Sequence, residues 1–186
     1  MEQAVQIRPA SPEDIPAIAR VLVDTWRSTF RGVLSDEFLA GMSYERQQNR
    51  HGYYLAQDRV SYFVAVDHSS GEVIGFINGG PNRHRDYPQY AAELYALYVL
   101  NDRQRCGAGK RLLAALSSRL TESGFPSMLV WVLAKNPNRG FYEHAGAREI
   151  SSRPIVLQPD IVKEIAYGWD DLVAVAGRDA TPLKPA

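Results

Sequence analysis

The sequence predicts an α+β fold in which helices flank a mixed β-sheet. Residues 62–66 and 72–78 are two apolar strands joined by the turn residues Asp67–Gly71, which is typical of an antiparallel hairpin. Residues 91–133 instead run as strand, glycine turn, helix and strand, and such a crossover places its two strands in parallel. A sheet with both kinds of neighbour is mixed, and its apolar faces need helices to cover them.

The N-terminal third begins with a short strand and continues as helix. Val5–Arg8 alternates apolar and polar residues, and Pro9 ends this strand. Ser11–Asp14 combines a capping residue, a first-turn proline and early acids, which predicts the start of a helix that continues to about Phe30. A second helical region is expected over residues 36–55, with a break near residues 41–43.

The rest of the chain adds strands, two helices and a polar loop. Gly79–Pro81 is expected to close the second hairpin strand, and Asn82–Gln89 reads as a polar loop. A strand buried on both faces is expected at residues 91–100. Further strands are expected at 128–133, 148–157 and 161–169, and helices around 112–120 and 138–145. Residues 1–176 are predicted to form a single domain, and residues 177–186 a mobile tail.

Composition excludes several classes of protein. The 186 residues are 45% hydrophobic, which is too apolar for a disordered chain, and no apolar stretch approaches the length of a membrane span. With 21 basic and 21 acidic residues the net charge is zero, which argues against a dedicated nucleic-acid binder. The single cysteine, Cys106, allows no intrachain disulfide and makes a zinc site unexpected, so a cytoplasmic location without a metal is the simplest expectation.

The most informative segment is the turn after the strand at 91–100. Gly107 and Gly109 allow backbone N–H groups to approach one point, and the following helix adds the partial positive charge of its N-terminus. Such a turn can bind a phosphate or pyrophosphate, with Arg105, Lys110 and Arg111 as nearby cations. The alternative is a tight strand-to-helix turn with solvated basic residues.

Two spaced motifs resemble the GNAT superfamily of acyl-CoA-dependent N-acetyltransferases. Gln104–Gly109 matches that family's pyrophosphate pattern [QR]-x-x-G-x-[GA], and Asn136–Ala147 is similar to its Asn…Phe-Tyr-Glu-x-x-Gly segment. The resemblance extends from Val5 to about Trp169 and is sharpest over residues 91–147.

This resemblance implies a three-layer α/β/α sandwich around a mostly antiparallel sheet. Two neighbouring parallel strands, 91–100 and 128–133, would splay apart, and acetyl-CoA would bind between them as a co-substrate. The residues implied in binding it are Leu97, Tyr98, Val99, Gln104, Arg105, Cys106, Gly107, Ala108, Gly109, Lys110, Asn136 and Asn138.

The same resemblance implies two catalytic residues. Tyr142 is similar to the family's general acid, which would protonate the departing CoA thiolate; the alternative is a core aromatic residue. Glu93, a carboxylate inside an apolar strand, is the candidate base for the acceptor amine, directly or through water. The alternative for Glu93 is a residue at the sheet rim, solvated or paired with Arg83 or Arg85.

The acceptor is expected to be a small-molecule or peptide amine, and a homodimer is an expectation from the family only. One alternative is a non-catalytic acyl-CoA-binding regulatory module on the same fold, and another is a β-α-β protein whose turn binds no cofactor. His84, Asp86 and Tyr87 are expected in a solvated loop, with lining of the acceptor pocket as the alternative. Trp26 and Phe30 are expected in core packing, and the alternative that the resemblance implies is a place over the acceptor site.

Overall fold

The structure is a computed structural model that describes residues 5–177. The strands are β1 (Val5–Pro9), β2 (Ser61–Asp67), β3 (Val73–Pro81), β4 (Ala92–Val99), β5 (Met128–Leu133), β6 (Arg148–Leu157) and β7 (Asp160–Trp169). The α-helices are α1 (Ile15–Thr29), α2 (Asp36–Ala40), α3 (Tyr44–Leu55), α4 (Ala108–Glu122), α5 (Gly140–His144) and α6 (Leu172–Ala176).

All seven strands form one sheet in the order β1-β2-β3-β4-β5-β7-β6. Strands β2 and β3 form the predicted hairpin, as do β6 and β7, and both pairs are antiparallel. Within the described residues, β4 and β5 are the one parallel pair, because α4 crosses over between them. The predicted mixed, mostly antiparallel sheet is therefore confirmed.

Helices cover both faces of the sheet. On one face α1 packs through Ile18 and Val21 against Val64 and Phe76 of the sheet. On the opposite face α4 buries an apolar stripe against β2 and β3, and α6 packs on α4. This is the three-layer arrangement that the resemblance implied.

Local signals place the first helix as predicted. Pro12–Asp14 form a 3-10 turn that leads directly into α1. The Ser11 N–H donates to Asp14 Oδ2 at 2.8 Å, and Arg8 holds the same carboxylate with two hydrogen bonds of 2.7 and 2.8 Å. The break at residues 41–43 also exists, because Ser43 caps α3 by accepting a hydrogen bond from the Arg46 N–H.

Two predictions about β3 and β4 were wrong. Strand β3 continues through Pro81 instead of ending at Gly79, because Gly79 lies so close to β4 that an added Cβ would come within 2.7 Å of the Glu93 carbonyl oxygen. Strand β4 is buried only at residues 92–94 and at Val99, while residues 95–98 are half-buried. That half-buried stretch borders two cavities.

The C-terminal segment also differs from the expectation. Helix α6 follows Asp171, whose carboxylate accepts hydrogen bonds from the N–H groups of Val173 and Ala174. Leu172 and Val175 are buried in the core. Of the predicted mobile tail, residues 178–186 lie outside the described residues.

Candidate active site

The site begins where β4 and β5 separate. The two strands pair in parallel only from Ala92 to Leu94 on β4 and from Met128 to Val130 on β5. Beyond these residues β5 remains paired with β7 and β4 with β3. The two central strands therefore diverge, which opens a cleft inside the sheet.

Backbone groups of β4 face this cleft. The Leu100 N–H donates to the Ile74 carbonyl of β3, so alternation along the strand directs the backbone groups of Leu97 and Val99 away from β3. Gln104 Nε2 donates to the Val99 carbonyl at 3.1 Å. The cleft edge of β4 therefore offers backbone groups to which an extended ligand can add.

The turn after β4 forms one end of a cavity of about 1010 Å³, here called the loop cavity. Gly107, the residue before α4, has φ +82°, and nothing lies within 4 Å of a Cβ added there. Among the described residues, no acceptor bonds the backbone N–H groups of residues 104–109. The free N–H groups and the start of α4 make this end of the cavity attractive to an anion.

Eleven of the twelve predicted cofactor-binding residues border the loop cavity. They are Leu97, Tyr98, Val99, Gln104, Arg105, Gly107, Ala108, Gly109, Lys110, Asn136 and Asn138. The Asn136 side-chain oxygen accepts a hydrogen bond from the Asn138 N–H at 2.9 Å, which shapes the loop after β5.

Two neighbours of the turn are arranged differently. Cys106 is outside the cavity lining, and its thiol donates to the Arg103 carbonyl at 3.0 Å. Arg111, expected near a phosphate, donates instead to the Val5 carbonyl of β1.

A second cavity of about 760 Å³, here called the α3 cavity, lies on the α3 side of β4. One face of α3 lines it with Arg46, Gln47, Arg50, His51 and Tyr54, which recur at helical spacing. Helices α1 and α2 and strands β3 to β7 also contribute residues to its walls.

The two cavities meet at a junction, defined here as the residues that line both. These residues are Phe30, Leu97, Tyr98, Asn136 and Tyr142. The Tyr142 side chain is buried, and this burial raises the pKa of its phenol above the ordinary value. Among the described residues no hydrogen-bond partner holds Tyr142 Oη, so the protonated hydroxyl is available to a ligand.

Glu93 lies on the α3 cavity with its carboxylate closely paired. Arg83 donates from Nη2 to Glu93 Oε1 at 2.6 Å and from Nε to Oε2 at 2.9 Å. The Arg83 backbone N–H reaches Oε2 at 3.2 Å, and His84 Nε2 lies 3.3 Å from Oε1. The alternative considered for Glu93, pairing with Arg83, is thus present in the structure.

Most of the loop before β4 is exposed, as expected, but His84 and Tyr87 are half-buried. The Tyr87 hydroxyl donates to Ser151 Oγ at 2.7 Å, and both Tyr87 and His84 pack against the Trp131 ring. Trp26 and Phe30, expected in core packing, also border the cavities.

Several site residues were not identified from the sequence. Trp131 and Arg153 stack with 3.9 Å between the guanidinium carbon and the ring centroid, and Arg153 pairs with Glu164 at 2.7 Å. His51 and Asn78 are almost fully buried at the α3 cavity. The helical spacing of α3 could have indicated His51, whereas the β6–β7 pair comes near the site only through the sheet order.

Residues 5–177 contain neither a membrane-spanning helix nor a cluster of metal ligands. No helix in that range is long and apolar enough to cross a bilayer. No group of three or more His, Cys, Asp and Glu side chains in that range is placed to hold a metal ion.

Comparison with known proteins gives consistent matches. A model of the acetyltransferase (GNAT) family matches residues 20–147. The Bacillus subtilis protein named uncharacterized N-acetyltransferase YuaI is 36% identical over 171 residues, which cover 92% of this chain and 96% of that protein.

Solved structures show the same fold. The PaiA N-acetyltransferase from Thermoplasma acidophilum, in complex with coenzyme A, has a TM-score of 0.70 at 20% identity over 86% of this chain and 97% of that one. A phosphinothricin acetyltransferase from Sinorhizobium meliloti, in complex with AcCoA, has a TM-score of 0.68 at 19% identity over 89% of this chain and 88% of that one.

Proposed function

The chain belongs to the GNAT acetyltransferase family, and from this membership we propose that it binds acetyl-CoA in the loop cavity and acetylates an amine in the α3 cavity. The observation that carries the proposal is the junction, because an acetyl group and an amine can react only where their binding spaces border the same residues. The solved relatives in complex with CoA or AcCoA support the choice of ligand.

The loop cavity fits acetyl-CoA in shape and charge. The unbonded N–H groups of residues 104–109, with Arg105 beside them, suit the pyrophosphate. The backbone of Leu97 and Val99 suits the pantetheine amides, and Asn136 and Asn138 line the same cavity. Cys106 contributes at most its backbone, since its thiol is engaged with Arg103.

Bound acetyl-CoA supplies an acetyl thioester whose C–S bond breaks as the C–N bond to the amine forms. The amine nitrogen therefore gives up one proton, and the sulfur takes one. Tyr142, which lines the junction, is the proposed proton donor to the sulfur, and its raised pKa keeps the phenol protonated at neutral pH.

Glu93 is the proposed proton acceptor for the amine. Its carboxylate borders the α3 cavity, but Arg83 already engages both oxygens. A water molecule between the amine and Glu93 fits this arrangement better than direct contact. Arg83 and His84 then fix the orientation of the carboxylate.

The experiment measures acetyl-CoA binding and turnover separately. Thermal unfolding with and without acetyl-CoA reports binding, and release of free CoA thiol in the presence of an amine library reports transfer. Binding with amine-dependent thiol release supports the proposal. Binding without release for any amine would favour the non-catalytic acyl-CoA module, and absence of binding would refute both.

A further inference from the structure

The α3 cavity has an unusual balance of charged side chains. Its charged lining residues are Arg46, Arg50, Arg83, Arg153, Glu37, Glu93 and Glu164, together with the histidines His51 and His84. No lysine or aspartate appears in the lining formed by the described residues. The cavity is therefore not the acidic pocket that a polyamine would need.

Most of the acids in the cavity are already neutralised by arginines. Arg83 pairs with Glu93 at 2.6 Å, and Arg153 pairs with Glu164 at 2.7 Å. Each pair is anchored by a mostly buried glutamate, whose exposed side-chain fraction is 4% for Glu93 and 11% for Glu164. The charges left to act on a ligand are two arginines of α3 and a glutamate of α2.

Arg46 and Arg50 are one helical turn apart on the face of α3 that lines the cavity. Both are exposed to solvent, so a ligand can reach them. Both arginines line the same cavity as the junction residues Tyr98 and Tyr142. A ligand between α3 and the junction is therefore within reach of this cationic pair.

Buried polar atoms between the arginines and the sheet also lack partners. Gln47 Oε1, His51 Nε2 and Asn78 Oδ1 are buried and make no hydrogen bond. Burial lowers the pKa of His51 to about 4, with a smaller contribution from Arg50, so its imidazole is neutral at pH 7. Buried polar atoms without partners are costly, and a polar ligand would satisfy them.

We propose that the acceptor is a small primary amine that also carries an anionic group, a carboxylate or a phosphate, bound by Arg46 and Arg50. The guanidinium fork matches either anion with paired hydrogen bonds. The neutral atoms of Gln47, His51 and Asn78 suit the polar body of the same molecule, while its amine extends to the junction. The two arginines repel polycationic amines, which provides selectivity. This inference rests on the proposed function.

The test compares amines that differ only in the anion. Methionine is paired with methioninamide, O-phosphoethanolamine with ethanolamine, and spermidine represents the polycations. Thiol release at saturating acetyl-CoA gives kcat/KM for each amine. In at least one pair, we expect the kcat/KM of the anionic amine to exceed that of its neutral partner by about 10- to 100-fold. The pair that shows this difference identifies the anion as a carboxylate or a phosphate.

Variants of α3 then assign the preference to its two arginines. The double variant Arg46→Ala with Arg50→Ala should reduce the kcat/KM ratio of the anionic amine to its neutral partner to near one. The reduction should come from a higher KM for the anionic amine, while the KM of acetyl-CoA stays unchanged. Arg50→Glu should favour spermidine over the anionic amines. Arg119→Ala is the matched control, because Arg119 is an exposed arginine of α4 outside both cavities.

The outcomes separate this inference from the proposed function. Equal rates for charged and neutral partners, faster reaction of spermidine, or an unchanged ratio in the double variant would each overturn the anionic acceptor and leave the transferase intact. Absence of thiol release with all of these amines and with the amine library would overturn both together.

Discussion

Replacement of Tyr142 by phenylalanine isolates the role of one oxygen atom. The ring is 8% exposed and lies 6.0 Å from the Tyr167 ring and 6.1 Å from the Trp169 ring, measured between centroids. Phenylalanine retains these contacts, and no hydrogen bond among the described residues is lost with the hydroxyl. The free energy of unfolding should therefore change by less than about 1 kcal/mol.

The expected effect on turnover is much larger. A positioned general acid contributes about 10²- to 10⁴-fold to the rate, which corresponds to about 3–5 kcal/mol of activation free energy. Because Tyr142 would act on the departing sulfur and not on the nucleotide, acetyl-CoA affinity should stay within about twofold of wild type. The structural contribution and the chemical contribution of this side chain are thus separable.

The assay combines thiol release at saturating acetyl-CoA with calorimetric titration of the same ligand. Tyr142→Phe should lose kcat and keep Kd. An unchanged kcat would refute the role of Tyr142 as general acid, and a kcat loss matched by a large loss of stability would assign it to core packing. Since burial raises the pKa of Tyr142 above 10.0, wild-type kcat should also show no fall due to this phenol below pH 10.

Three further predictions concern the base, the turn and a buried histidine. Glu93→Gln should alter the pH–rate profile of acetyl transfer, because the proposed proton acceptor is lost, and an identical profile would remove Glu93 from proton transfer. Gly107→Ala should cost about 1–2 kcal/mol in urea unfolding, because φ +82° strains any residue with a Cβ, and calorimetry should show about tenfold weaker acetyl-CoA binding. His51 has its pKa lowered to about 4, so its contribution to stability is complete above the unfolded pKa near 6.5 and decreases as pH falls toward 4. Urea unfolding should therefore show wild type losing about 1–2 kcal/mol more than His51→Gln between pH 7 and pH 5, and equal losses would contradict the assignment.

Elements with strong local signals were predictable from the sequence. The capping residues Ser11 and Asp14 and the turn residues Asp67–Gly71 act within a few positions of themselves, so their structural effect is visible in the sequence. The glycine turn before α4 is similar, because a positive φ at Gly107 is a local requirement.

Features set by distant partners were not predictable in the same way. Gly79 was interpreted as the end of a strand, but in the structure it allows close approach to Glu93, fourteen positions away in sequence. Arg111 was assigned to a phosphate, yet its partner is the Val5 carbonyl at the other end of the chain. Identifying Glu93 as site-facing was possible from its apolar strand, while choosing Arg83 over Arg85 as its partner required coordinates.

A bulge in β4 explains how one strand serves both cavities. Asn78 of β3 faces Ala96 and Gly79 faces Leu94, so Tyr95 is an extra residue without a direct partner. Before the bulge Leu94 packs toward α4, and after it Ala96 and Tyr98 pack toward α1 while Leu97 and Val99 take the α4 side.

This change of alternation has a functional consequence. Glu93 and Tyr95 both border the α3 cavity. After the bulge, Leu97 and Val99 border the loop cavity. Without the extra residue, the side chains after position 95 would exchange faces, since a shift of one residue reverses the alternation of a strand. The aromatic ring of Tyr98 would then leave the junction. The bulge, together with the divergence of β5, therefore brings the proposed amine cavity and the proposed cofactor cavity to a single strand.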